Sequence, residues 1–266
     1  MLLMPKGPRR IVCLTEEPTE ILYALNEGER VVGISAYTVR PPEAKRDKPV
    51  VSAFLDGSVS KIAALKPDLV IGFSDIQAGL AKKLIAANMN VLIFNQRSVQ
   101  EILEVIDQIG SLVHRQSEAR RLIEGYIRSL TEIETAGRAL PYRPRIYFEE
   151  WDEPTITAIE WVSELITIAG GQDIFKDRSI GKLAKDRFVS TDEVAHGNPD
   201  IVFASWCGKP FDKAAFFRRF ADRSFPALQN RQVYEIPAEI ILQPGPACLT
   251  EGVRTLHEHL VAATFS

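Results

Sequence analysis

Two stretches of the chain repeat the same succession of a helical segment and an apolar run. Residues 60–74 (SKIAALKPDLVIGFS) and 192–206 (DEVAHGNPDIVFASW) each carry a short helical pattern that ends before a Pro-Asp pair. Proline cannot continue a helix, and the residue before it is biased towards extended geometry. The runs LVIGF and IVFAS that follow are short and continuously apolar, which indicates strands buried on both faces of a parallel sheet.

The segments around these two runs repeat in the same order. RIVCL at 10–14 and RIYFE at 145–149 each predict a first strand, and each precedes an apolar helical pattern. MNVLIF at 89–94 and RQVYEI at 231–236 predict a later strand in each half. Four matches in one order, offset by about 130–145 residues, indicate duplicated α/β lobes rather than chance similarity.

A long amphipathic helix is predicted between the two halves. In SEARRLIEGYIRSLTEIETAGRAL, apolar residues from Ala119 to Ile133 recur every three or four positions and form one stripe. The predicted fold is therefore α/β, with parallel central sheets in two lobes joined by one long helix. Its predicted parts are an N-terminal lobe at 8–116, the connecting helix at 117–140 and a C-terminal lobe at 141–266.

Aromatic side chains follow the predicted strands, at the edge where parallel α/β sheets bind ligands. Flat rings give a ligand large apolar platforms with few torsions to freeze. Trp161 is expected near the same edge. The sequence therefore predicts a ligand site in the cleft between two lobes, formed by Tyr37, Arg40, Phe54, Phe73, Trp151, Asp152, Trp206, Cys207 and Gln243.

Catalytic and metal-binding patterns are weak in this sequence. The histidines are scattered, and GxSxG, GxGxxG and Walker loops are absent. The adjacent acids Glu149-Glu150 and Asp152-Glu153 are expected to be solvated loop charges, and Cys207 a partly buried, unreactive thiol. We therefore predict a binding protein rather than an enzyme, with no catalytic residue, no bound metal and no required cofactor.

Composition and charge indicate an ordinary soluble globular protein. The hydrophobic fraction is 45% and the charged fraction 25%, and the net charge of −3 argues against nucleic acid as a partner. No run approaches the roughly 20 apolar residues of a membrane span. The N-terminal MLLMPKGPRR lacks the apolar core of a secretory signal. We expect a cytoplasmic protein as the sequence is written, or a periplasmic one if a signal was removed.

Several longer motifs point to one family: RIVCLTEEPTEILYALNEGERVVGIS followed by RPPEA, then SVSKIAALKPDLVIG, EEWDEPTITAIEWVSELITIAGGQDIF, STDEVAHGNPDIVFASWCG and QVYEIPAEIILQPGPACLTEGVRTL. Together they resemble the Fe/B12-type substrate-binding proteins of ABC transporters, within them a signal-less subgroup of the cobalamin-binding branch. The resemblance covers nearly the whole chain. It implies two Rossmann-like lobes with a helical backbone, and a cobalamin-like corrinoid between aromatic walls that include Phe54, Phe73, Trp151 and Trp206.

Two features depart from the relatives that dock on a transporter. Arg40 stands where binders of transported B12 carry a tyrosine. The stretches 76–79 and 241–243 contain no acid, although such relatives carry glutamates there that pair with arginines of the membrane permease. We therefore expect a binder of a bulky corrinoid that is a monomer or weak dimer and does not insert into a membrane. The missing acids argue against docking on an ABC permease.

Other functions fit parts of the same pattern. A ferric siderophore would favour converging arginines, for which Arg40, Arg97 and Arg187 are candidates. Haem would favour Tyr37 as an iron ligand. An enzyme of corrinoid or tetrapyrrole metabolism would use the same cleft, and a protein-binding adaptor would cover the aromatic edge with another chain.

Overall fold

The computed structural model describes residues 6–53 and 56–265, which form two compact α/β units. The first unit runs to Gln96 and includes Gln100–Gly125, and the second comprises Arg97–Val99 and the chain from Tyr126 onward. The boundary falls within one long helix, α6, at Gln116–Arg138, where the apolar stripe predicts a helix. The lobe limits deduced from the sequence, at residues 116 and 141, stay a prediction.

The first unit contains a five-stranded sheet in the order β3-β2-β1-β4-β5, and every ladder in it is parallel. Helices follow the strands along the chain, as in other parallel sheets. The strands are β1 (Ile11–Cys13), β2 (Val31–Ser35), β3 (Val50–Ser52), β4 (Leu69–Phe73) and β5 (Val91–Phe94). The helices are α1 (Glu16–Ala24), α2 (Pro42–Asp47), α3 (Val59–Ala64), α4 (Ala78–Ala86), α5 (Val99–Leu112) and the first part of α6.

The second unit contains a sheet in the order β10-β9-β6-β7, with β8 also paired to β6. β8, β9 and β10 join by parallel ladders, as predicted for the central sheet, and β7 adds an antiparallel strand beside β6 at one edge. The strands are β6 (Arg145–Asp152), β7 (Thr155–Thr157), β8 (Gln172–Asp173), β9 (Ile201–Ala204) and β10 (Val233–Glu235). The helices are α7 (Glu160–Ala169), α8 (Lys176–Ser179), α9 (Thr191–His196), α10 (Lys213–Arg219), α11 (Pro226–Gln229), α12 (Ala238–Ile241) and α13 (Val253–Thr264).

The Pro-Asp pair of the first unit ties the start of β4 to the start of β1. The Asp68 carboxylate accepts hydrogen bonds from the backbone N–H groups of Arg9 and Arg10, at 2.7 and 2.9 Å. In return the Arg10 guanidinium donates to the Leu65 carbonyl oxygen at the end of α3. An orphan carbonyl of the helix end is thereby satisfied by a charged donor.

The second unit repeats this turn with different residues. Asp200 accepts a hydrogen bond from the Arg145 N–H at 2.7 Å, and the Arg145 guanidinium donates to the Gly197 carbonyl oxygen. Lys66 and Asn198, which precede the two prolines, have φ of 47° and 46° rather than the extended backbone that the sequence predicts. A residue in the left-handed region ends a helix without using the α region that the proline disfavours.

Candidate functional site

A pocket of about 440 Å³ opens in the second unit, beside the carboxyl end of β6 and the segment after β9. Its volume lies within the range of small-molecule sites. The carboxyl ends of strands are where the sequence predicts ligand contacts. The lining residues are Asp152, Glu153, Pro154, Thr155, Trp206, Ala215, Phe216 and Arg219.

The β6–β7 hairpin forms one wall of this pocket. Asp152 pairs with Thr155, whose hydroxyl donates a 2.9 Å hydrogen bond to the Asp152 carbonyl oxygen. A β-bulge between Glu149 and Trp151 shifts the register of the ladder. Bulges re-aim side chains and occur often beside binding sites. Because pairing with β7 continues to the hairpin turn, Trp151 and Asp152 lie within β6 and not in a loop after it.

Glu149 is a fully buried carboxylate directly behind the pocket. Both of its oxygens accept hydrogen bonds from Nη2 of Arg219, at 2.5 and 2.6 Å. The Tyr147 hydroxyl and the Trp206 indole N–H also donate to it, at 2.9 and 3.2 Å. Burial raises the pKa of the Glu149 carboxyl, and these donors oppose the shift. Arg219 and the Trp206 indole can only donate hydrogen bonds, and the guanidinium is a cation, so we assign Glu149 as a carboxylate.

Glu150 points to a second buried arginine. Arg187, which is 3% exposed, donates through Nη1 and Nη2 to the two carboxylate oxygens of Glu150, the Nη2 contact being 3.0 Å. The same Nη1 donates to the Thr157 carbonyl oxygen at 2.7 Å. The expectation that Glu149 and Glu150 are solvated loop charges is therefore wrong. Arginines from distant parts of the chain neutralise both.

Lys209 lies between the two tryptophans of the site. Its ammonium nitrogen is 4.3 Å from the ring centroid of Trp151 and 4.7 Å from that of Trp206. The same nitrogen donates to Oδ1 of Asp152 at 2.6 Å. Gly208, with φ of 81°, supplies the left-handed backbone that precedes the lysine. The ammonium is thus held by two aromatic faces and a carboxylate.

The other predicted residues of the second unit are placed differently. Trp206 is 4% exposed and packs edge-on against Phe211, so only part of the ring faces the pocket. Cys207, next in the chain, is half-buried. Gln243 is buried but is not among the pocket-lining residues. Trp161 lies in the core, where its indole N–H donates to the Ile241 carbonyl oxygen at 2.9 Å.

The predicted residues of the first unit lie at or after the ends of its strands. Tyr37 follows β2 and is 42% exposed, whereas Phe73 ends β4 and is buried. Arg40 forms an ion pair with Glu20, its Nε lying 3.2 Å from Oε1. Phe54 is outside the described residues. Contact of these side chains with a ligand stays a prediction.

Two buried acids at this edge are not among the predicted site residues. Glu16 and Glu17 begin α1, directly after β1, and burial raises their pKa values to about 7 and about 8. The Thr15 hydroxyl donates to Oε1 of Glu17 at 2.8 Å. Within residues 6–53 and 56–265, the Oε2 atoms of both glutamates have no hydrogen-bond partner. The signal available in the sequence was the pair of acids at a helix start that follows a buried strand.

The structure shows neither a metal-binding cluster nor a membrane-spanning helix among the residues it describes. Across those ranges, His, Cys, Asp and Glu side chains nowhere form a group of three that could hold a metal ion. In the same part of the chain, each helix is too short or too polar to cross a membrane. The three cysteines, all of them described, form no disulfide, and burial raises the pKa of the Cys13 thiol to about 12.

Residues 11–240 match the periplasmic binding protein family, and the chain belongs to that family. Proteins of this family bind small solutes and are not enzymes. Two relatives align over most of the chain. The uncharacterized ABC transporter substrate-binding lipoprotein YvrC of Bacillus subtilis is 26% identical, covering 98% of this chain and 82% of the relative. The vitamin B12-binding protein of Vibrio cholerae is 26% identical, covering 94% of this chain and 88% of the relative.

Solved structures share the fold. The vitamin B12-binding protein BtuF of Vibrio cholerae superposes with a TM-score of 0.76 and 24% identity, covering 97% of this chain and 99% of that one. The haem-binding protein RhuT of Roseiflexus sp. RS-1 superposes with a TM-score of 0.77 and 22% identity, covering 95% and 99%. Both similarities establish the α/β architecture of this chain.

Proposed function

We propose that this protein binds a bulky, cobalamin-like corrinoid without chemically transforming it. The observation that carries the proposal is the pocket at the end of β6, walled by Trp206 and Phe216 and flanked by Trp151, in a chain whose relatives include a vitamin B12-binding protein. Aromatic walls suit a large, mostly apolar macrocycle. The ion pair between the partly exposed Arg219 and the buried Glu149 holds these walls in place.

The pocket suits one part of such a ligand rather than the whole of it. A corrinoid with its side chains exceeds a space of about 440 Å³, so further contacts must come from other residues. We propose that these are the remaining residues predicted from the sequence. They are Tyr37, Arg40, Phe54, Phe73, Cys207 and Gln243.

Haem or a ferric siderophore is the second candidate ligand. It is favoured by the haem-binding protein among the structural neighbours and by the exposed phenol of Tyr37. Two of the arginines considered for a siderophore are already neutralised, because Arg40 pairs with Glu20 and Arg187 pairs with Glu150. These pairings weigh against a siderophore, whereas haem has as much support from the comparisons as a corrinoid has.

An ABC permease is a candidate partner, and a periplasmic location would accompany it. The support is the family and the naming of one relative as an ABC transporter substrate-binding lipoprotein. The stretches 76–79 and 241–243 lack acids, but Asp75 and Glu239 stand beside them and are exposed. Co-purification of the chain with a candidate ABC permease, lost on changing Asp75 and Glu239 to alanine, would support docking.

Calorimetry combined with absorption spectroscopy tests corrinoid binding. Purified protein titrated with cyanocobalamin, cobinamide and adenosylcobalamin should give a single-site heat and a spectral shift, and the corrinoid should be recovered unchanged. Absence of both signals with all three ligands contradicts the proposal. Binding of haemin alone, or of a ferric siderophore alone, supports the second candidate instead.

Trp151→Ala tests whether the aromatic wall contributes to that binding. The variant should bind the corrinoid about tenfold more weakly, because it loses one aromatic face of the site. Tyr142→Ala is the matched control, since Tyr142 is an exposed aromatic elsewhere in the same unit. Equal losses of corrinoid affinity in Trp151→Ala and Tyr142→Ala would contradict a role for Trp151.

A further inference from the structure

We infer that the pocket of the second unit selects ligand groups without negative charge, accepting carboxamides and rejecting carboxylates of the same shape. The inference rests on the proposed function, since it specifies which chemical form of the corrinoid periphery the site takes. It is carried by the charges that line or touch the pocket.

Both terminal nitrogens of the Arg219 guanidinium are engaged within the protein. Its Nη2 donates to both oxygens of Glu149, and its Nη1 donates to the Asp152 carbonyl oxygen at 2.8 Å. The remaining Nε has no hydrogen-bond partner among the described residues, but it is buried and therefore not exposed to a ligand in the pocket. An incoming anion would have to displace the Glu149 carboxylate, which would then be buried without its counter-ion.

Lys209 is engaged in the same way. Its ammonium contacts Oδ1 of Asp152 and lies over the rings of Trp151 and Trp206. A carboxylate could bind Lys209 only by competing with Asp152 at 2.6 Å and by pulling the ammonium off two aromatic faces. Each of those changes costs binding free energy.

Glu153 leaves the pocket with a surplus of negative charge. Glu153 is an exposed lining residue of the pocket, and its carboxylate forms no hydrogen bond or ion pair with any residue that the structure describes. Three carboxylates, Glu149, Asp152 and Glu153, therefore face two cations, Arg219 and Lys209. The other lining residues, Pro154, Thr155, Trp206, Ala215 and Phe216, are uncharged.

A carboxamide fits this arrangement in a way that a carboxylate does not. Its N–H groups can donate to the Glu153 carboxylate. A carboxylate has no donor for Glu153 and is repelled by it. Glu153 is thus assigned as the residue that sets the preference.

The matched test compares two forms of one dicyano-corrinoid, which share the ring and the metal. In one form all peripheral groups are amides, and in the other they are all carboxylates. Calorimetry at low salt should show the amidated form binding at least tenfold more tightly to the unaltered protein. Glu153→Gln should narrow that ratio severalfold. Glu132→Gln, an equal change of net charge on an exposed position of α6, should leave the ratio unchanged.

The outcomes separate the two proposals. Equal affinity for the two forms overturns the charge preference and leaves corrinoid binding standing. If Glu153→Gln and Glu132→Gln change the ratio of the two affinities equally, the preference comes from the overall charge of the protein. That result overturns the assignment to this pocket. Binding of neither form overturns the proposed function, and the preference falls with it.

Discussion

The Arg219 side chain links three parts of the second unit. They are the buried Glu149 carboxylate of β6, the β6–β7 hairpin turn and the surface of the pocket. The side chain contacts Glu149 and the Asp152 carbonyl oxygen, and its planar group lies 5.5 and 5.4 Å from the ring centroids of Phe216 and Phe220. A lysine could not reproduce this set, because its single ammonium lacks the planar fork. The pocket wall therefore depends on this residue for its shape.

Replacing Arg219 should strongly destabilise the second unit. Arg219→Met keeps much of the apolar stem but leaves Glu149 buried without its counter-ion, which costs about 3–5 kcal/mol of unfolding free energy. Urea denaturation measures the loss. Arg218→Met is the control, because Arg218 is 72% exposed and its contact with Asp212 is 3.9 Å, so its loss should cost under about 1 kcal/mol. Similar losses in both variants would contradict a special role for the buried pair.

Glu16 and Glu17 should make the stability of the protein depend on pH. Their pKa values of about 7 and about 8 in the folded state exceed the ordinary value of 4.5, so the folded state binds protons more tightly than the unfolded chain. The free energy of unfolding therefore falls as pH rises from about 4.5 to above about 8. A pKa difference of one between the folded and unfolded states corresponds to about 1.4 kcal/mol, so the loss amounts to several kcal/mol.

Glu17→Gln should flatten this pH dependence. The amide has no proton to lose, and it also removes the repulsion between the two neighbouring carboxylates Glu16 and Glu17. Denaturation midpoints measured from pH 5 to 8.5 should vary much less in the variant than in the unaltered protein. Glu132→Gln serves as the exposed control. An unchanged slope in Glu17→Gln would show that other groups cause the pH dependence.

At the scale of elements, the strands that follow the two Pro-Asp pairs were the most predictable feature. Short apolar runs after Pro-Asp identify β4 and β9, and both are strands in the structure. The periodic stripe likewise identifies α6. These elements are predictable because the signal is local: a stretch of consecutive residues carries the whole pattern.

The hairpin and the buried acids were not predictable in the same way. Glu149 is neutralised by an arginine 70 positions away, and Glu150 by one 37 positions away. Nothing in EEWDEP itself reveals those partners, so the acids look like solvated charges. The short β7 and the bulge of β6 likewise depend on pairing with the rest of the sheet.

Glycine substitutions should separate close packing from helix propensity. Gly170→Ala should cost at least about 1–2 kcal/mol, because φ is +105° and an added Cβ would lie 2.8 Å from the Gly137 backbone. Gly125→Ala in α6 meets nothing within 4 Å and should stabilise by about 0.5–1 kcal/mol. Thermal unfolding of the two variants measures both effects. A stabilising Gly170→Ala would contradict the packing described at this helix end.

At the scale of the whole molecule, each unit carries an α/β sheet with a first strand and a Pro-Asp strand tied together by the same kind of turn. That duplication was predictable from the repeat. The candidate site was predictable only in part. Trp151, Asp152 and Trp206 come together around Lys209, but Glu153, Thr155, Phe216 and Arg219 were not anticipated. Helix α10, which carries Phe216 and Arg219, reaches the site only through the tertiary fold.

Ligand binding should stabilise the protein as a whole. A ligand that binds only the folded state at a hundred times its Kd adds about 2.7 kcal/mol to the free energy of unfolding. A corrinoid should therefore raise the melting temperature in a concentration-dependent way, and the rise should be smaller for Trp151→Ala than for Tyr142→Ala. A corrinoid that leaves the melting temperature unchanged at saturating concentration would contradict specific binding.

The placement of the tryptophans has an optical consequence. Trp151 and Trp206 flank Lys209 at the pocket, whereas Trp161 is fixed in the core by its bond to the Ile241 carbonyl oxygen. Two of the three indoles therefore emit from the proposed ligand site, and the third supplies a steadier background. A coloured macrocycle arriving there would quench the first two most strongly. The protein thus carries its own fluorescent reporter of occupancy, and no added dye is needed to follow binding.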